Sequence, residues 1–266
     1  QVTRMRMELP RGADVKLRKG DILTAVGPHE NVDLLRYAIP TTFAEEIQAS
    51  AVRLVAGAQD PLADGQRRDL TSLSTITIDG QSTLDFDDAL SLEKYDGGYR
   101  LGVHIADVGH FIQRDAPVDR EARQRCSSVY MPDQKLPMLP PNLAEDLCSL
   151  KVDQPRPTIS TMITISPNFE IIDFEIFASM IAVKRQLTYY EANVLADSDD
   201  EEMSILKAIG AKFRQKRLDQ GAIHISLPEI NVWLNPAGNP VVNRINRESP
   251  GRMLVAELMI LANWLM

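Results

Sequence analysis

The stretch "TITIDGQSTLDFDDALSLEKYDGGYRLGVHIADV", residues 75–108, constrains the fold more than any other part of the chain. Its apolar runs read as strands, the later ones joined as a hairpin about Asp96-Gly97-Gly98. Between them lie four carboxylates, Asp79, Asp85, Asp87 and Asp88. In a plain strand Asp87 and Asp88 would face opposite sides, so a loop is needed to bring them together. Two unit charges a few ångströms apart repel by about 2–4 kcal/mol at an effective dielectric near 20. The cluster therefore binds protons or needs a cation, and oxygen-only ligands favour a hard ion such as magnesium. A solvated acidic turn and a calcium loop are the alternatives. The calcium loop lacks its glycine and terminal glutamate, with Leu90, Ser91 and Leu92 following the cluster. Its place between apolar runs anchors the cluster at a core edge.

The rest of the chain reads around that centre. Residues 1–40 hold short strand-like pieces ("ADVKL", "DILTAV", "VDLLRYAI"), and "PTTFAEEIQASAVRLVAG" reads as a helix with Thr42 and Glu45 at capping-box spacing. A polar linker, "AQDPLADGQRRD", closes this region. Beyond the acidic loop, the proline-rich "MPDQKLPMLPPNL" is too rigid for a helix or central strand. "TISTMITISPNFEIIDFEIFASMIAV" gives a second hairpin, with helices expected around 189–196 and 200–218. Ser249 and Pro250 read as the cap and first position of a last helix. The predicted class is α+β, with mixed, largely antiparallel sheets and packed helices. Both ends read as cut, because the chain begins at Gln1 and stops within an apolar helical pattern.

Cys126 and Cys148 provide neither a disulfide framework nor a four-ligand zinc site, and read as buried free thiols in a reducing cytoplasm. The run "MLVAELMILANWLM" is short and contains Glu257 and Asn263, which argues against a membrane span. A net charge of −8 weighs against nucleic-acid binding unless the acidic centre is itself neutralised by cations.

"TITIDGQSTLDFDDAL", "LGVHIADVGHFI", "SSVYMPDQKLPMLPPNLAEDLCSL" and "GRMLVAELMILAN" together resemble, in order and spacing, the catalytic domain of the ribonuclease II/R family. The resemblance covers about residues 68–266 as the N-terminal part of that domain, with 1–67 an upstream β-rich region and connecting helix. It implies a processive, magnesium-dependent (or manganese-dependent) 3′-to-5′ exoribonuclease releasing nucleoside 5′-monophosphates from single-stranded RNA. No membrane partner or organic cofactor is expected. By the resemblance Asp79, Asp85, Asp87 and Asp88 hold metal, and Asp87 is also the catalytic residue. Tyr130 is then the base-stacking residue near the RNA 3′ end and Tyr189 lies along the RNA path; on sequence alone each reads as a core-edge tyrosine. His104 reads as structural, and Asp107 stays open. Lys184, Arg185, Lys212 to Arg217, Arg244, Arg247 and Arg252 offer a backbone path or, equally, solvated helix faces.

Two positions depart from the family pattern. Ile225 stands where an aromatic commonly opposes the stacking tyrosine, and Ala256 precedes Glu257 where two glutamates are common. The family's arginine that steadies the scissile phosphate is expected beyond Met266. A non-catalytic RNA-binding scaffold and a metal-dependent phosphodiesterase acting on DNA are the rival functions.

Overall fold

The computed structural model describes residues 34, 36–58, 63, 65–132, 134–225, 229–235 and 237–266. The chain divides into two compact units, Gln1–Thr41 and Thr42–Met266. In the first, the strand readings "ADVKL" and "DILTAV" lie outside the described residues. The strand reading of "VDLLRYAI" is corrected: Leu34 and Arg36 have helical backbone. The Leu34 carbonyl accepts from the Ile39 N–H at 2.9 Å, so the polar backbone is satisfied locally, as a helical turn.

The second unit is built on a seven-stranded sheet in the order β1-β8-β7-β4-β3-β2-β9. The strands are β1 (Arg68–Asp69), β2 (Thr75–Asp79), β3 (Asp88–Tyr95), β4 (Gly98–Ala106), β7 (Pro155–Ile165), β8 (Ile171–Ala182) and β9 (Arg185–Thr188). The four inner pairings are antiparallel and the two edge pairings, β1 with β8 and β2 with β9, are parallel. Both expected hairpins form. In the first, Tyr95 pairs with Gly98 across Asp96-Gly97. Gly98 has φ 136°, and a side chain there would run into the Ile165 carbonyl, so glycine is required. The end of the polar linker is not a linker: Arg68 and Asp69 enter the sheet beside Ser179 and Met180.

One sheet face, through Ile76, Ile78, Leu90, Leu101, Val103 and Ile163, packs on three helices. These are α4 (Tyr189–Ala196), α5 (Glu201–Asp219) and α6 (Pro250–Leu265), all within a residue or two of the expected positions. Each fully buried leucine or isoleucine there contributes about 1.5–3 kcal/mol relative to exposure. Pro250 occupies the first turn of α6, although Ser249 makes no side-chain capping bond.

The other face carries a smaller cluster of Ala89, Leu150, Ile181 and Val183 and a buried polar chain. His104 Nε2 meets Ser91 Oγ at 2.9 Å and its Nδ1 meets Ser160 Oγ at 2.6 Å. Ser160 Oγ continues to Ser179 Oγ at 2.5 Å, which reaches Thr158 Oγ1 at 2.6 Å. His104 is fully buried, and burial pushes it down to about 4, so it is a neutral structural residue as expected.

A third cluster joins α1 (Glu45–Ala56), α2 (Val108–Phe111), α3 (Pro117–Arg125) and a π-helical turn, Leu143–Leu147, through Ile47, Ala51, Ile112, Val118, Leu143 and Leu147. The helix α1 is thus part of the second unit. The Thr42–Glu45 capping box is corrected: α1 starts later, with Ala44 at the cap and no side-chain cap. The capping box that forms is Thr188–Glu191, at the start of α4. The proline-rich stretch supplies β6 (Lys135–Leu136), which forms a short hairpin with β5 (Val129–Tyr130) just before it, and its last residues enter the π-helical turn. Cys148 is buried as expected, but Cys126 is exposed, because it ends α3 in a left-handed conformation at φ 62°. A further hairpin, β10 (Glu229–Leu234) with β11 (Pro240–Ile245), has no counterpart in the sequence reading.

Candidate active site

The four aspartates are held by two strand ends and the loop between them. Asp79 is the last residue of β2 and pairs in register with Thr188 of β9; Asp88 is the first residue of β3, opposite Ile105. The loop backbone is tied down from inside. The Phe86 N–H donates to Ser149 Oγ at 3.0 Å, and Ser149 Oγ donates to the Leu84 carbonyl at 3.0 Å. The Phe86 carbonyl accepts from the Leu150 N–H at 2.9 Å, and the Asp87 carbonyl from the Ala106 N–H at 2.8 Å. Ser149 is fully buried. The carboxylates therefore project from a fixed backbone, as the core-edge reading requires.

Their electrostatics follow from crowding. Burial, then the charges of Asp88, Asp87 and Asp85, pushes Asp79 up to about 7. Burial and Asp87 push Asp88 up to about 6. Asp87 is also raised, by burial and by Asp85, with Lys135 opposing. Asp79 Oδ2 is buried without a hydrogen-bond partner, an arrangement that costs about 1–3 kcal/mol unless something completes it.

Asp85 is placed differently. Its Oδ2 lies 3.0 Å from Lys135 Nζ and accepts from the Tyr130 hydroxyl at 3.4 Å. Lys135 also reaches Glu145 Oε1 at 3.1 Å, and its ammonium lies 5.5 Å from the Tyr130 ring centroid. Tyr130 and Lys135 face each other across the β5–β6 hairpin. Tyr130 is 68% exposed beside the aspartates. Lys135, Glu145 and Ser149 were not singled out by sequence. Lys135 becomes visible only when "VYMPDQKL" is folded as a hairpin that sets it opposite Tyr130.

Tyr189 opens α4 directly after Thr188, which brings it beside Asp79. Burial and the Asp79 charge raise its hydroxyl above the usual tyrosine range, with Arg252 opposing. One face of the ring is covered by the Arg252 guanidinium, 4.1 Å from the centroid. Asp107 is a structural residue: it caps α2 through His110 N–H and pairs with Arg67 at 2.5 Å. Of the two departures, Ile225 is 71% exposed, and Ala256 is exposed while Glu257 is buried against Arg217 at 2.7 Å. A cavity of about 770 Å³ lies between α5 and the end of α6, and none of the four aspartates lines it.

An all-carboxylate set with a buried unpartnered oxygen suits a hard divalent cation. Among the described residues, however, no three histidine, cysteine or acidic side chains already converge into a coordination shell. The donor chemistry fits, and the shell is one that the carboxylates would have to close.

Comparison with known proteins gives the family of the chain. The chain is 36% identical over 203 residues to ribonuclease R of Chlamydia pneumoniae, covering 74% of this chain and 30% of that protein. The chain thus spans about a third or less of such a relative's length. Its fold is similar to that of Mycoplasma genitalium RNase R solved in complex with ribose-methylated single-stranded RNA, at a TM-score of 0.78, 25% identity, and coverage of 86% of this chain and 37% of that one. It also shares its fold with yeast Ssd1, a pseudonuclease, at a TM-score of 0.61 and 20% identity over 76% of this chain and 26% of that one. The RNB domain model matches residues 67–266, and the chain belongs to the RNB domain family.

Proposed function

We propose that the protein carrying this chain is a magnesium-dependent 3′-to-5′ exoribonuclease that hydrolyses single-stranded RNA to nucleoside 5′-monophosphates. The observation that carries the reading is the buried, unpartnered Asp79 oxygen within four clustered carboxylates of an RNB-type domain. Residues 68–266 are read as the N-terminal part of the catalytic domain and 1–67 as an upstream region. The protein acts in the cytoplasm, a reading supported by its two free cysteines. No helix among the described residues is long and apolar enough to cross a membrane.

Asp79, Asp85, Asp87 and Asp88 would hold magnesium or manganese, which supplies an activated water and neutralises charge developing on the phosphate. The chain's own residues do the rest. Asp87, whose backbone is tied through its carbonyl to Ala106, would serve the ion on the attacking side. Lys135 and the Tyr130 hydroxyl orient Asp85. The exposed Tyr130 ring offers a stacking platform worth about 1–3 kcal/mol per base.

A scaffold function is the second reading, and the shared fold of a pseudonuclease favours it, because fold does not fix chemistry. Binding alone would not need four carboxylates on two adjacent strand ends and the loop between them, and that preference for the enzyme is testable. In the full-length protein Asp87→Asn keeps side-chain shape and loses charge. Release of monophosphate from a uniformly labelled single strand should be abolished, with RNA affinity kept within a few-fold. Near-normal turnover by the variant refutes the role of Asp87. RNA binding by wild type without cleavage in either magnesium or manganese establishes the scaffold, and equal cleavage of DNA establishes the phosphodiesterase.

A further inference from the structure

An acidic centre that cleaves a phosphodiester has to hold a polyanion against its own carboxylates, and most basic side chains nearby are engaged elsewhere. Lys135 is shared by Asp85 and Glu145, and Arg185 by Asp200 and Glu202. Arg214 pairs with Glu248 and Arg217 with Glu257. Lys184 and Arg244 have no ion-pair partner among the described residues, but they are badly placed. Lys184 adjoins Thr75, at the end of β2 remote from Asp79, and Arg244 lies in the separate β10–β11 hairpin. Arg252 is different. It is half-buried, has no ion pair among the described residues, and sets its guanidinium over the Tyr189 ring.

Three features hold it there. The capping box fixes the start of α4, and with it Tyr189, next to the Cα partner of Asp79. The Gly251 N–H donates to Asn193 Oδ1 at 2.7 Å, joining the first turn of α6 to α4. A Cβ on Gly251 would lie 3.1 Å from Ala192 Cβ and 3.3 Å from the Tyr189 carbonyl, so the absence of a side chain permits this approach. Stacking on an aromatic ring uses one face of a guanidinium and leaves its in-plane N–H donors for a planar anion. Ala256 lies one turn further along the same side of α6. An acidic residue there could claim those donors, and alanine leaves them free.

We propose that Arg252, backed by Tyr189, is a phosphate-binding residue that contacts the RNA backbone beside the four aspartates. The assignment rests on the ribonuclease reading above. It also narrows the part played by Tyr189, which supports the arginine on the covered face of its ring instead of stacking a base there.

The test uses the full-length protein carrying Asp87→Asn, to prevent cleavage, and short single-stranded RNAs. Each RNA carries either all phosphates or one neutral methylphosphonate at a defined linkage near the 3′ end. With Arg252 present, one linkage should show a penalty of about tenfold in affinity when neutralised. Arg252→Met should bind all-phosphate RNA about tenfold more weakly and lose the penalty at that linkage while keeping those at others. Its salt slope should fall by about 0.7, the share of one phosphate on a single strand. Arg252→Lys keeps the charge without the planar fork and should retain about a threefold penalty. Because each variant is compared with itself across linkages, a general loss of folding cannot imitate the pattern. If Arg252→Met keeps every penalty, the assignment is overturned while RNA binding stands. If the protein with Arg252 intact binds no RNA, the ribonuclease reading falls and takes this assignment with it.

Discussion

His104 gives a sharp physical test of the fold that carries the site. It is fully buried between Ser91 and Ser160, and burial lowers it from 6.5 to about 4. For a base held neutral in the folded state, the unfolded chain binds the extra proton between those two values. Stability from this residue is therefore fully present above pH 6.5 and is lost as the pH falls from 6.5 toward 4. At 1.36 kcal/mol per pKa unit, going from pH 7.5 to pH 5.0 removes about 2 kcal/mol. His104→Gln keeps a hydrogen-bonding side chain and removes the titration. Wild type should be the more stable at pH 7.5, because a glutamine amide placed for Ser91 has no polar atom at the Nδ1 position that meets Ser160. The gap between the two proteins should then shrink by about 2 kcal/mol at pH 5.0. The difference is what matters, since the raised aspartates push the raw pH profile the opposite way. Urea unfolding of both proteins at the two pH values measures it. A gap that stays constant would mean that His104 is solvated or charged in the native state, and the buried polar chain would have to be redrawn.

Arg217→Met should destabilise the chain by about 2–3 kcal/mol in urea, below the range for a fully buried pair, because the Arg217 side chain is 38% exposed and Glu257 keeps Arg214 at 3.7 Å; adding Glu257→Gln should recover most of the loss. Gly98→Ala forces φ 136° on a residue with a Cβ and drives it into the Ile165 carbonyl, so a loss of about 3 kcal/mol or more in thermal unfolding is expected. Magnesium at about 100 times its dissociation constant should stabilise the wild-type protein by about 2.7 kcal/mol and Asp79→Asn by much less, read as a shift in Tm; no shift in wild type would remove the metal from the proposal.

How far the sequence revealed this molecule depended on whether a feature was local. The hairpin at Asp96-Gly97-Gly98 carries its turn chemistry in adjacent residues, and α4 and α5 carry their own caps, so these elements were legible. The four aspartates were legible for a different reason: their crowding is energetically costly wherever the strands run. What could not be read are pairings closed by distant residues. Edge strand β9 has four residues and little alternation, and only its parallel alignment with β2 sets Tyr189 beside Asp79. Thr-x-x-Glu occurs at both Thr42 and Thr188 and forms a capping box only at the second, since the pattern marks a possible helix start and packing decides which one is used.

The same distinction explains the two tyrosines. On sequence alone both read as core-edge tyrosines, and the family resemblance gives Tyr130 a stacked base and Tyr189 a place along the RNA path. Tertiary structure makes them different: Tyr130 stands 68% exposed on a two-residue strand, held near Asp85 by its hydroxyl, while Tyr189 is partly buried and already covered by Arg252. The Lys135 ammonium comes no nearer than 5.5 Å to the Tyr130 centroid and leaves that ring open to a base, whereas the Arg252 guanidinium sits 4.1 Å from the Tyr189 centroid and presents charge. The two sides of the acidic loop are therefore suited to the two chemical halves of a nucleotide, an aromatic surface for the base beside Asp85 and a guanidinium for the phosphate beside Asp79.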